Sequence, residues 1–240
     1  MSITANIALV NERIVAAALR AGRNPDEITL MAVSKTFPPE LIREAYAAGL
    51  RVFGENRVQE FAGKANALRD LPGAEWHLIG HLQTNKVKLI VPFVRMIQSV
   101  DSSKLLMVIN NEAEKVSTVI DCLLQIHIAR EESKFGFAMN EITAMLASPW
   151  FGSMKNVRIS GVMGMATYTD NTETVRNEFR YLKSCFEHLK SEYFKSSVSF
   201  KEISMGMSGD FRIAVEEGST MVRIGSLIFG ERVIVSTKDL

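Results

Sequence analysis

Lys35 closes the run Ala32-Val33-Ser34-Lys35, where an apolar stretch ends and a loop begins. A lysine at such a strand end either meets solvent as an ordinary surface charge or turns inward. An inward ammonium is desolvated, which lowers its pKa and leaves a neutral amine able to condense with an aldehyde. Arg223 is the second unusual group, because it interrupts the apolar run Met221-Val222-Arg223-Ile224-Gly225. A buried guanidinium needs an acceptor. Two kinds are open: a carboxylate such as Glu55 or Glu202 in a structural ion pair, or a ligand atom. The third feature is a pair of turns rich in glycine and hydroxyls, Ser204-Met205-Gly206-Met207-Ser208-Gly209-Asp210 and Ile224-Gly225-Ser226. Such turns present N–H and O–H groups that suit a phosphate. An amine, a buried donor and a phosphate cradle together describe a phosphorylated aldehyde. Pyridoxal 5′-phosphate (PLP) fits all three, with its ring nitrogen as the acceptor for the arginine.

The elements that must bring these groups together follow a regular rhythm. Short apolar runs predict eight strands: 29–33, 50–53, 76–79, 96–100, 123–128, 158–163, 200–204 and 221–224. Between them, helical spacing predicts helices over 39–48, 57–68, 84–91, 103–116, 140–147, 172–195 and 210–217, with one extra helix over 3–20 ahead of the first strand. Strict alternation implies right-handed βαβ units and a parallel sheet. Eight units in one chain predict a single (β/α)₈ barrel spanning 1–240, whose active groups gather where strands end. An open doubly wound sheet is the rival, but its glycine-rich dinucleotide turn is missing: the first strand leads into Ser34-Lys35-Thr36-Phe37.

Composition excludes other classes. Charges nearly cancel (28 basic against 27 acidic, +1), which argues against a nucleic-acid or anionic-membrane partner. The longest uninterrupted apolar run, Ile14 to Leu19, has six residues, well short of the roughly 18 that a membrane helix requires. Two cysteines cannot form a disulfide framework, and no secretory leader is visible at the N-terminus. A cytoplasmic protein is expected. His77 and His81 straddle a strand end without the glutamate of a zincin, so no metal is expected. His127 is expected as a hydrogen-bonded core residue of the fifth strand, and Cys122 and Cys185 as buried small hydrophobes. Met163, Met165, Met205 and Met207 fall near strand ends, where they can line a ligand.

Several stretches resemble the pyridoxal phosphate homeostasis proteins (the YggS/PROSC family) over essentially the whole chain. They are AVSKTFP at 32–38, FGENRVQE at 53–60, WHLIGHLQTNK at 76–86, SKFGF at 133–137, GVMGMAT at 161–167 and SMGMSGDFRIAVEEGSTMVRIGSLIFGER at 204–232. The resemblance implies a fold-type III PLP barrel of the alanine racemase type without the racemase's second domain. It implies that Lys35 holds PLP as an internal aldimine and that Arg223 faces the ring nitrogen. Ser208, Gly225 and Ser226 would bind the phosphate, with Met207 beside them. Asn56 and His81 would line the mouth. Phe37 and Ser226 fall at positions that vary.

Holding PLP is not the same as using it. Racemisation needs an acid/base on each face of the cofactor, and in racemases the second comes from another domain. Only VIVSTKDL follows residue 232, so that donor is expected to be absent. An arginine opposite the ring nitrogen donates to it and leaves it unprotonated, a poor electron sink. The expected role is therefore a non-enzymatic, monomeric PLP carrier that maintains intracellular vitamin B6 and supplies apo PLP-dependent enzymes. A weakly active amino-acid racemase or lyase is the alternative. A lysine Schiff-base aldolase acting on a sugar phosphate would use the same groups.

Overall fold

A computed structural model describes residues 2–130 and 135–230. Eight parallel strands close into a barrel in sequence order: β1 (Thr29–Val33), β2 (Val52–Glu55), β3 (Glu75–Leu78), β4 (Met96–Val100), β5 (Ile120–Gln125), β6 (Val157–Met163), β7 (Glu202–Ser204) and β8 (Met221–Ile224). Closure is made by β1 and β8, which pair from Thr29↔Met221 to Ala32↔Ile224. The expected barrel is therefore the fold, and three of the eight strands have the expected limits.

The helices are α1 (Ile3–Arg20), α2 (Pro39–Ala47), α3 (Val58–Ala67), α4 (Ser103–Lys115), α5 (Met139–Leu146), α6 (Pro149–Gly152), α7 (Thr172–Glu192), α8 (Phe211–Glu216) and α9 (Ser226–Phe229). The stretch expected as a helix over 84–91 is a 3₁₀ turn, Thr84–Leu89. Short α6 and α9 were not legible, since four residues cannot show a helical period. The extra helix α1 begins at Ser2, whose hydroxyl accepts from the Ala5 N–H at 3.2 Å. Its buried face, Ile3, Ile7, Val10, Ile14, Ala17 and Ala18, packs on α2, α8 and α9. Asn6 Nδ2 donates to Ile228 O at 2.9 Å, tying α1 to the helix that follows β8.

The β5–β6 ladder shifts register between Cys122 and Leu123. Gly161 sits there at φ +152°, and a Cβ at that position would lie 1.9 Å from Glu202 O. Only glycine lets β6 pass that close to β7. Cys122 and Cys185 are both buried and unpaired, as expected. His127 is a correction: β5 ends at Gln125, and His127 is only half-buried in the following segment, its N–H donating to Phe137 O at 3.1 Å. Among the described residues no helix is long and apolar enough to cross a membrane.

Candidate cofactor site at the barrel mouth

The strand ends open onto a cavity of about 580 Å³. Its wall carries all eight residues nominated above: Lys35, Asn56, His81, Met207, Ser208, Arg223, Gly225 and Ser226. They come from five different strands' ends or the loops after them, a convergence that barrel closure produces and linear order does not show. Met165 also lines the cavity, whereas Met163 and Met205 are fully buried in the core. Ser133 and Lys134 of the SKFGF stretch lie outside the described residues; Phe135 lies on the wall.

Lys35 lies two residues past the end of β1 and is half-buried. The residues on either side of it are tied down. Ser34 Oγ donates to Glu55 Oε1 at 2.6 Å, and the Thr36 N–H donates to Glu60 Oε1 at 2.5 Å. Lys64 joins both carboxylates and Ser34 O, at 2.9, 2.6 and 2.7 Å. Thr36 has φ +70°, a conformation that a β-branched residue adopts only when its surroundings impose it. The turn that presents Lys35 is thus clamped by α3. Phe37 stacks on Phe229 of α9, ring centroids 5.0 Å apart, closing the same turn from the other side.

Arg223 is 4% exposed, and neither Glu55 nor Glu202 is its partner. Its guanidinium donates to Ser204 Oγ at 2.8 Å and to Gly164 O at 3.0 Å. Both acceptors are neutral. Burial accordingly pushes the guanidinium pKa down to about 10, with Asp210 acting in the opposite direction. It remains a cation at neutral pH, with a side that faces the cavity.

Both hydroxyl-rich turns line the same cavity as Arg223. Among the described residues the side-chain hydroxyls of Ser208 and Ser226 have no protein partner. Asp210 Oδ1 accepts from the Met207 N–H at 2.5 Å, which holds the first turn in shape. Gly225 packs against the end of β1, where a Cβ would stand 3.1 Å from Val33 O. An amine, a buried cationic donor and two uncommitted hydroxyls on one wall are the donor set that PLP requires, so the residues present fit that group.

Asn56 and Gly80, also on the cavity wall, meet so closely that a Cβ on Gly80 would lie 2.2 Å from Asn56 O. His81 stacks on Phe135 at 4.1 Å, and its Nδ1 is 2.9 Å from Asp101 Oδ2. Asp101 was missed by the sequence reading, although an acidic residue just after a strand end was its available signal. Gln125, also missed, lines the cavity and donates to Phe135 O at 2.7 Å.

Residues 10–233 match the alanine racemase N-terminal domain family. A pyridoxal phosphate homeostasis protein of Aquifex aeolicus is 44% identical over 97% of this chain and 99% of its own length. The chain belongs to the pyridoxal phosphate homeostasis protein family. The homologue of that name from Escherichia coli K12 is 38% identical over 96% of this chain and 97% of its own. Among solved structures, PipY of Synechococcus elongatus PCC7942, described with PLP bound, superposes with a TM-score of 0.79 at 35% identity. It covers 92% of this chain and all of that one. These matches extend over nearly the whole barrel.

Proposed function

We propose that this chain is a PLP-holding protein that maintains vitamin B6 in the cytosol by buffering the free aldehyde and delivering it to apo-enzymes. Lys35 Nζ condenses with the aldehyde carbon, forming a C=N bond and releasing water. Arg223 donates to the ring nitrogen, and Ser208, Gly225 and Ser226 hold the phosphate beside Met207. Asn56 and His81 line the entrance. One barrel domain, acting as a monomer, suffices for this. The observation that carries the reading is the convergence of Lys35, Arg223 and two uncommitted hydroxyls on one 580 Å³ cavity. The PLP-bound relative supports it. A guanidinium that stays protonated leaves the ring nitrogen without a proton, which weakens carbanion chemistry and favours holding over turnover.

The purified chain loaded with PLP is expected to be yellow. Borohydride is expected to bleach it and to leave the cofactor's mass on the peptide containing Lys35. A chain that takes up no PLP, or a label on another lysine, overturns the reading.

The His81–Asp101 pair supports a second reading. A carboxylate that accepts from Nδ1–H leaves Nε2 as a base, and this one is on the cavity wall. Here the chain is a slow amino-acid racemase or lyase. Sustained exchange of an amino acid's α-proton with deuterated solvent, abolished by His81→Phe, is the expected sign. No exchange above that of free PLP rejects it.

A further inference from the structure

The barrel interior is crossed by a line of buried polar side chains that begins at Arg223 and leads away from the cavity. Arg223 Nη1 is 2.8 Å from Ser204 Oγ, Ser204 Oγ is 2.7 Å from Gln98 Oε1, and Gln98 Nε2 is 3.1 Å from His77 Nδ1. Gln98 and Ser204 have no exposure, and His77 only 2%. Gln98 stands on β4, while Ser204 and Arg223 stand on β7 and β8, so these bonds span the interior. The contact of Gln98 Nε2 with Met221 Sδ, 3.0 Å away on β8, spans it as well.

The contacts fit a polarity that runs one way. Arginine can only donate, so Ser204 Oγ accepts from it, and Ser204 gives its own proton to Gln98 Oε1. The Gln98 carbonyl therefore faces Ser204 and its amide faces His77, which accepts at Nδ1. That leaves the histidine proton on Nε2, which is buried without a hydrogen-bond partner among the described residues, Glu75 Oε2 standing 3.6 Å away. Each link is right only if the one behind it is right. An amide flipped at Gln98 would offer Ser204 a second donor and no acceptor, and Arg223 would share its oxygen.

We infer that Gln98, backed by His77, is a positioning residue for the cofactor ring: a one-way chain that aims the Arg223 guanidinium at the ring nitrogen. The inference rests on the PLP-holding reading above. Its energetic basis is the cost of an unsatisfied buried polar group, which holds the links from Arg223 to His77 Nδ1 in place and leaves a broken line free to rotate.

The test compares PLP with an analogue that has carbon in place of the ring nitrogen, titrated by absorbance into wild type and two variants. Gln98→Met keeps the volume and removes both bonds. Gln98→Glu restores both contacts: one carboxyl oxygen accepts from Ser204 and the other shares a proton with His77 Nδ1. Wild type is expected to prefer PLP to the carbon analogue. In Gln98→Met that preference is expected to shrink about tenfold, the scale of one hydrogen bond to a charged group. Gln98→Glu is expected to retain it. If Gln98→Met does not fold, Ser204→Ala breaks the same line one link nearer Arg223, with the same expected loss. Equal weakening of both ligands means that Gln98 is merely structural and overturns the inference, as does an unchanged preference. A wild type that binds neither ligand overturns the PLP-holding reading itself, and a wild type without preference overturns the Arg223–nitrogen contact.

Discussion

Lys35→Ala is expected to lose the aldimine absorbance entirely and to incorporate no label on borohydride treatment. Residual binding through the phosphate turns is expected to be weaker by about a hundredfold, equivalent to about 2.7 kcal/mol. The fold should survive, since Lys35 is half-buried at a loop and truncation there falls among substitutions costing within about 1 kcal/mol. Lys35→Arg separates charge from nucleophilicity. A guanidinium keeps the positive charge but is not an amine that condenses with aldehydes, so this variant should be as colourless as the alanine. Lys64 serves as the internal control: its Nζ is held by Glu55, Glu60 and Ser34 O, and it is not among the residues lining the cavity. A Lys35→Ala protein that still forms a borohydride-stable adduct would show that another amine carries the chemistry.

Lys64→Met should be the most destabilising single change near the site. Lys64 and Glu55 form an ion pair at 2.9 Å with side-chain exposures of 7% and 0%. Removing one member of such a pair leaves a buried charge uncompensated and costs about 3–5 kcal/mol. The comparable change at Lys115, in an exposed pair with Glu112, should cost less than about 1 kcal/mol. Burial already raises the Glu55 carboxyl above its ordinary 4.5, with Ser34 and Lys64 pulling it back down. A carboxyl raised in the native state keeps a proton that the unfolded chain has released. Its contribution therefore fades as pH climbs from the ordinary value through the raised one. Deleting Lys64 removes one of the two restraints, so the variant should lose stability more steeply with rising pH, and up to a higher pH, than wild type. Denaturant midpoints across that range test both claims, and a loss that is small or independent of pH would remove Lys64 from this role. Because the same cluster holds Ser34 and Thr36, the variant should also take up PLP more weakly.

The two predictions mark a division in what the amino-acid order reveals. Lys35 and Arg223 were legible because each is a charged residue at the edge of, or inside, an apolar run, where a charge demands a reason. The barrel was legible because the spacing of apolar residues alternates between strand and helix periods eight times, and β1, β4 and β8 took the limits it predicted. The two hydroxyl-rich turns were legible as a phosphate cradle; resemblance singled out Ser208, Gly225 and Ser226 within them and added Asn56 and His81. The partners of these groups were not legible. Arg223 was expected to need an acceptor, either a carboxylate or a ligand atom, and the protein acceptors it meets are Ser204 and Gly164. Lys64, in the middle of an amphipathic helix, reads as one more surface lysine, yet it is buried against Glu55.

What the order of residues determined by itself is therefore the set of reactive groups and the barrel that carries them, because both are written in local patterns of charge and hydrophobicity. What only the tertiary structure decided is which groups touch. Strand closure brings β1 against β8 and sets β4 across from them, so Lys35 comes to share a wall with Ser226, and Gln98 reaches Ser204 across 106 positions of sequence. Hydrogen bonds act over about 3 Å, and no periodicity in a linear chain encodes a contact of that range between residues so far apart.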